Sequence, residues 1–164
     1  MISLALLLAC SQAFDEEQLG AGVEDWGGPA GGFFMLTPVG SPDSPALMIE
    51  ALSDVGQVAA WELRYGETWS TAQVLGQYPA FVDGDGYHVE QSLIVPNPVE
   101  VGTTVDGTAI TDRGELETWY GVFPDAIQVS VGGGPFKGSA AFSAGVGPLR
   151  LEYQGDTWEI VYYE

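Results

Sequence analysis

Asp83-Gly84-Asp85-Gly86-Tyr87 places two carboxylates one residue apart around a glycine bend, and Glu90 follows. Ca²⁺ takes about six to eight oxygen ligands, and alternating acids on a tight turn supply some of them. An EF-hand loop needs glutamate at its twelfth position, which counted from Asp83 is Ile94. Asp83, Asp85 and Glu90 are therefore candidate ligands for weak Ca²⁺ binding in another geometry. The same residues spell a hairpin turn, because Asp-Gly is a favoured pair between two strands. Pro79-Ala80-Phe81-Val82 and Tyr87-His88-Val89 are the strands it would join. The turn is the first expectation, with weak Ca²⁺ binding as the alternative and no other cofactor.

Patterns for catalysis are thin. His88 is the single histidine and Cys10 the single cysteine. Together they cannot supply a four-ligand Cys/His zinc site within one chain, and Cys10 has no disulfide partner. Ala141-Phe142-Ser143-Ala144-Gly145 departs by one residue from G-x-S-x-G. A nucleophile elbow needs a helix after the serine, whereas a glycine bend and another strand are expected here. His88 also precedes Ser143, opposite to the hydrolase order. Gly132-Gly133-Gly134-Pro135-Phe136-Lys137-Gly138-Ser139 holds the ingredients of a phosphate loop in the wrong order, and reads as a hairpin loop. Glycoside hydrolysis needs two acids about 5 to 9.5 Å apart, and no pair is nominated by spacing. Trp61, Trp69, Trp119 or Trp158 would stack on sugars if exposed, but tryptophans of a β domain mostly belong to its core. The expectation is a protein that is not an enzyme.

Cys10 has a different chemistry available. It closes the apolar run Ile2-Ser3-Leu4-Ala5-Leu6-Leu7-Leu8-Ala9. That run is too short to span a hydrocarbon core, which takes roughly 20 residues, but it suits the apolar region of a signal peptide. Leu7-Leu8-Ala9-Cys10 resembles the lipobox of bacterial lipoproteins. The resemblance implies cleavage before Cys10, acylation of its sulfur with palmitate-like chains, and a lipid-anchored protein of the cell envelope. Ser11 in place of aspartate implies sorting to the outer membrane.

Composition sets further bounds. The 164 residues carry a net charge of −19, which arises because Arg64, Arg113, Lys137 and Arg150 are the only strong bases. Such a surface repels phosphate backbones, so nucleic acid is excluded as a partner, and it disfavours anionic lipid heads. A 46% hydrophobic content is enough to build a core, which argues against disorder.

Along the chain, residues 10–32 are acidic and glycine-rich and read as a tether following a signal peptide at residues 1–9. Trp26 is a possible anchor of that tether onto the domain. From Phe33 to the end the pattern is strand after strand. Ala46–Leu52, Val58–Tyr65, Tyr87–Glu90, Leu93–Val95, Ala126–Val131, Leu149–Tyr153 and Thr157–Tyr163 are apolar or alternate with period two. A short helix over Ser70–Leu75 is also compatible with the pattern. Leu63-Arg64-Tyr65-Gly66-Glu67-Thr68-Trp69 echoes Leu151-Glu152-Tyr153-Gln154-Gly155-Asp156-Thr157-Trp158, each reading as a strand, a turn and Thr-Trp opening the next strand.

The C-terminal half carries Val95-Pro96-Asn97-Pro98, Val101-Gly102-Thr103-Thr104, Tyr120-Gly121-Val122-Phe123-Pro124-Asp125-Ala126-Ile127-Gln128-Val129 and Ala144-Gly145-Val146-Gly147-Pro148-Leu149. In this order the segments resemble the TapB-like domain of bacterial envelope proteins. The resemblance implies an exported β-rich module and transfers no catalytic residue. Gly145 and Gly147 flank Val146 before a strand, where glycine permits positive φ or close backbone approach, so they read as architectural.

The expectation is an all-β domain at residues 33–164: a single antiparallel, strongly twisted sheet forming a half-barrel, or a β-sandwich, with short turns and little helix. Its expected role is non-enzymatic, engaging an envelope protein partner or a hydrophobic ligand from a membrane-anchored position. A carbohydrate- or calcium-dependent binding module is the alternative, and a glycoside-acting enzyme the least favoured.

Overall fold

A strand whose apolar residues recur every second position buries one face and wets the other. In Ala126–Val131 the side chains of Ile127, Val129 and Val131 are buried while Gln128 and Ser130 are exposed. The computed structural model describes residues 22–164, so the expected signal peptide at 1–9, Cys10 and residues 11–21 of the expected tether lie outside the described residues. A 3-10 helix, Val23–Gly27, leads into twelve strands. They are β1 Phe33–Pro38, β2 Ala46–Asp54, β3 Gln57–Gly66, β4 Gln73–Val82, β5 Gly86–Val89, β6 Ser92–Pro96, β7 Thr104–Val105, β8 Thr108–Glu117, β9 Val122–Val131, β10 Gly138–Ser143, β11 Gly147–Tyr153 and β12 Asp156–Tyr163.

The strands form one antiparallel sheet in the order β6-β5-β4-β3-β2-β1-β12-β11-β10-β9-β8-β7. Two meanders, β1–β6 and β7–β12, are thus joined where the first strand pairs with the last. The sheet curls into a nearly closed barrel. Register shifts interrupt the pairs β1/β12, β2/β3, β3/β4, β5/β6, β8/β9 and β10/β11. Each such bulge bends its strand and adds twist, and β8/β9 carries two, so a sheet with seven of them curves round on itself instead of splitting into two layers.

The two edges of the sheet meet without a β-ladder. The Thr108 hydroxyl donates to the Leu93 carbonyl (3.1 Å) and accepts the Gly132 N–H (2.9 Å). Ser92 Oγ accepts the Phe136 N–H (3.0 Å). Ser92 and Thr108 are both buried. This seam occupies the barrel end that carries the β5–β6, β7–β8 and β9–β10 connections. The opposite end carries the turns β2–β3, β4–β5, β8–β9 and β10–β11 and the end of β12.

Trp61, Phe34, Phe136, Phe142, Leu36 and Ile49 fill the interior. Outward positions of β8 and β9 carry Asp112, Gln128 and Ser130. That polarity is the reverse of a barrel wall facing lipid.

Three sequence expectations need correction. Residues 22–32 of the expected tether belong to the fold: Trp26 is buried, and Gly31 and Gly32 bond to Ala51. Residues 70–72 form a turn, and β4 starts at Gln73, so no helix spans 70–75. The echoed segments also differ. Trp158 lies in β12 and is buried, whereas Trp69 lies in a loop that folds back over Arg64, its ring 4.2 Å from the guanidinium carbon.

Candidate functional site

The end opposite the seam is stoppered by the 3-10 helix Val23–Gly27, which packs against β5, β6, β10 and β11. The Asp25 N–H donates to the Gly22 carbonyl, and the Asp25 carbonyl accepts the Gly145 N–H at 2.7 Å. Behind the helix the chain crosses β11 at backbone distance. Gly147 has φ +110°, and a Cβ there would lie 2.9 Å from Gly28 Cα and 3.0 Å from the Phe34 ring. Only glycine meets both demands. Gly145 has φ +72° with open space around it, so its constraint is the turn itself.

Trp26 drives the helix home. It is 1% exposed, and the Arg113 guanidinium lies 5.6 Å from its ring centroid. Asp125 grips Arg113 with both carboxylate oxygens (2.7 and 2.8 Å), and Arg113 also donates to the Val99 carbonyl. The carboxylate pushes the Arg113 pKa upward, and Arg113 holds Asp125 below the usual carboxylate range.

Beneath the plug, Trp26 Nε1, Trp61 Nε1 and the Tyr87 hydroxyl are buried with no hydrogen-bond partner among the described residues. Burial raises the Tyr87 pKa far above that of an ordinary phenol. The Trp61 indole opposes this shift without reaching hydrogen-bond geometry. Beside the plug opens a cleft of about 640 Å³ lined by Glu24, Asp25, Asp54, Val58, Phe81 and Tyr87. It is a surface cleft of mixed polarity, separate from the filled barrel axis.

Exposed apolar side chains mark the turns at this end of the barrel. Val55 stands at the β2–β3 turn, 95% exposed, and Phe81 and Val82 end β4. Trp119, 68% exposed, leads Tyr120 and Val122 at the β8–β9 tip. The tip is held rigidly: the Trp119 N–H donates to Glu159 (3.1 Å), Glu159 pairs with Arg150 (2.6 Å), and Arg150 donates to the Glu117 carbonyl. Tyr120 packs on Tyr163 with ring centroids 4.9 Å apart.

The sequence candidates fall in different places. Asp83 and Asp85 occupy the β4–β5 turn, where Asp83 Oδ1 accepts the N–H groups of Asp85 (2.9 Å) and Gly86 (3.3 Å) and contacts His88 Nε2 at 2.9 Å. His88, the largest influence, and these amides hold the Asp83 pKa below its ordinary value. Glu90 lies beyond the other end of β5 with φ +55°, so the structure does not gather it with Asp83 and Asp85. Among the described residues no three Asp, Glu, His or Cys side chains converge as metal ligands. Ser143 ends β10 and is followed by a turn and β11, without the helix an elbow requires. The loop after β9 is occupied with closing the seam: Phe136 is buried and Gly134 packs against Ser92.

The Arg113–Asp125 fork is a feature that sequence reasoning did not nominate, whereas Trp26 was read as an anchor and is buried, and Trp119, expected with the other tryptophans to be core, is exposed. No known protein family, curated protein or solved structure matches this chain.

Proposed function

We propose that this chain is a lipid-anchored protein of the bacterial cell envelope, sorted to the outer membrane, acylated at Cys10 and non-enzymatic, with the barrel as its interaction domain. The observation that carries the reading is the apolar run ending in Leu7-Leu8-Ala9-Cys10. The barrel supports docking over carriage of a hydrophobic ligand, because large side chains occupy its axis: Trp26, Trp61, Tyr87, Phe34, Phe136 and Phe142 are all buried. A carrier needs an enclosed apolar cavity of roughly 300–1,000 Å³. The cleft here has a comparable volume, but it opens at the surface and is flanked by three carboxylates.

The test is metabolic labelling with radioactive palmitate in a bacterial host that processes lipoproteins. The parent chain is expected to carry label and to sediment with membranes, while Cys10→Ser carries none and is released on cell lysis. An unlabelled parent recovered wholly in the soluble fraction overturns the reading.

A further inference from the structure

We infer that the plugged end of the barrel is the membrane-facing end, and that its rim at Trp119, Tyr120 and Val122 seats in the headgroup zone of the same bilayer that holds the Cys10 acyl chains. The inference rests on the acylation reading and adds an orientation to it.

Two independent features coincide at this end. The first is where the chain enters. Gly22 leads into the plug, and it stands twelve residues after Cys10 (22 − 10 = 12). Twelve residues reach at most about 43 Å when fully extended. A ten-residue strand is about 33 Å long, so resting the seam end on the bilayer would consume most of that reach. Resting the plugged end on it consumes almost none.

The second feature is the distribution of exposed apolar side chains. Val55, Phe81, Val82, Trp119, Tyr120 and Val122 all project at or next to the plugged end, and Tyr162 stands beside them at the end of β12. Val39, Tyr65, Val74 and Val101 are the remaining exposures, and of these only Tyr65 meets an aromatic ring, that of buried Trp158 at 5.9 Å. Trp and Tyr favour the membrane–water boundary because one side of each ring is apolar and the other tip is polar. The Arg150–Glu159 support presents the tip as a preformed wedge, so little ordering cost accompanies its insertion.

Charge selects the lipid. Glu24, Asp25 and Asp54 line the cleft beside the plug, Asp83 and Asp85 sit in the β4–β5 turn and Glu117 ends β8 at this end, and the chain carries −19 overall. A zwitterionic surface fits this end and an anionic one repels it.

Cys10 is the only cysteine, so in full chain produced without lipoprotein processing its free thiol couples to a maleimide phospholipid and fixes the protein to vesicles at that atom. On phosphatidylcholine vesicles with brominated acyl chains, Trp119 emission, taken as the difference between parent and Trp119→Phe, is expected to fall at least twofold. A Val39→Trp reporter in the Trp119→Phe background is expected to lose less than a tenth. Replacing a third of the lipid with phosphatidylglycerol is expected to reduce the Trp119 quenching. Equal quenching of both reporters, or no quenching of Trp119 on vesicle-bound protein, overturns the orientation. So does a dimer in sedimentation that Trp119→Ser dissolves, because the rim is then occupied by a second copy. None of these outcomes depends on palmitate labelling, so failure of the orientation is distinct from failure of the anchor.

Discussion

Replacing Trp26 by alanine tests whether residues 22–28 are part of the fold. Trp26 is 1% exposed and packs where the 3-10 helix meets β5, β6, β10 and β11. Truncating a fully buried tryptophan costs about 3–5 kcal/mol. Two corrections apply. Its indole N–H is buried without a partner among the described residues, a defect worth about 1–3 kcal/mol that the substitution removes. The Arg113 guanidinium over its ring contributes about 0.5 kcal/mol that is lost. The net expectation is a loss of about 3 kcal/mol. For a domain of this size each kcal/mol lowers Tm by roughly 2–4 °C, so the transition should fall by about 6–12 °C. Trp26→Phe keeps the ring and discards the unpartnered N–H, so it should stay within about 1 kcal/mol of the parent. Urea and thermal unfolding followed by circular dichroism give both values. A Trp26→Ala protein that melts within 2 °C of the parent refutes the plug and returns residues 22–32 to the role of a tether.

Three other outcomes follow from the same structure. Ser92→Ala leaves the buried Phe136 N–H without its acceptor and should cost about 1–3 kcal/mol in urea unfolding, with Thr108→Val similar; a loss below about 0.5 kcal/mol contradicts closure through these hydroxyls. Gly147→Ala should destabilise more than Gly145→Ala, because the first meets Gly28 and Phe34 at φ +110° while the second costs only about 1–2 kcal/mol of left-handed backbone; the reverse order in melting temperature would rule out the backbone crossing. For pH, the folded pKa of Glu62 is lowered chiefly by its Arg64 hydrogen bond, and that of Asp125 by Arg113. A lowered folded pKa means stability that is present above the unfolded value, about 4, and lost as pH falls through the folded value. The stability difference between the parent and Asp125→Asn should therefore be small, since the pair is exposed, and should shrink toward zero below about pH 4; a difference that grows in acid contradicts the assignment.

Period two made much of the sheet legible. β2, β3, β9, β11 and β12 each announce themselves by runs such as Ile127, Val129 and Val131. β8 does not, because Thr111-Asp112-Arg113 and Glu115 put polar groups at consecutive positions where the strand bulges against β9. β10, Gly138–Ser143, is short and built of small residues that carry little apolar signal. The strongly twisted, half-barrel sheet was legible from strand after strand with short turns, but its near closure was not, since that depends on the bulges and on two hydroxyls finding partners across the seam. The glycine-rich stretch before β1 misled for a physical reason. Glycine suits a loose chain, and it equally suits two backbones in contact, as at Gly28 and Gly147; composition does not distinguish the two. The rim was hidden for a related reason. A tryptophan in a β-rich sequence is core or surface according to a register that only the folded strands display.

The plug and the seam are two staples across one gap. The 3-10 helix touches β5 and β6 of the first meander and β10 and β11 of the second, so it bridges the two halves at one end of the barrel. Ser92 and Thr108 bridge them at the other, joining β6 to β8 and to the loop after β9. Between those points no ladder joins β6 to β8. Opening the gap requires both staples to fail, so either one alone holds the edges in register. Their losses should consequently be more than additive. The double variant Trp26→Ala/Ser92→Ala should lose about 0.5–3 kcal/mol beyond the sum of the singles, well outside the additivity expected of distant sites. Hydrogen exchange should show the amides of β6 and β8 losing protection first in the double variant, while β1, β2 and β12 stay protected. Strict additivity, with uniform loss of protection over the whole sheet, would mean that the gap is not the weakest line of the barrel and that the two ends are independent.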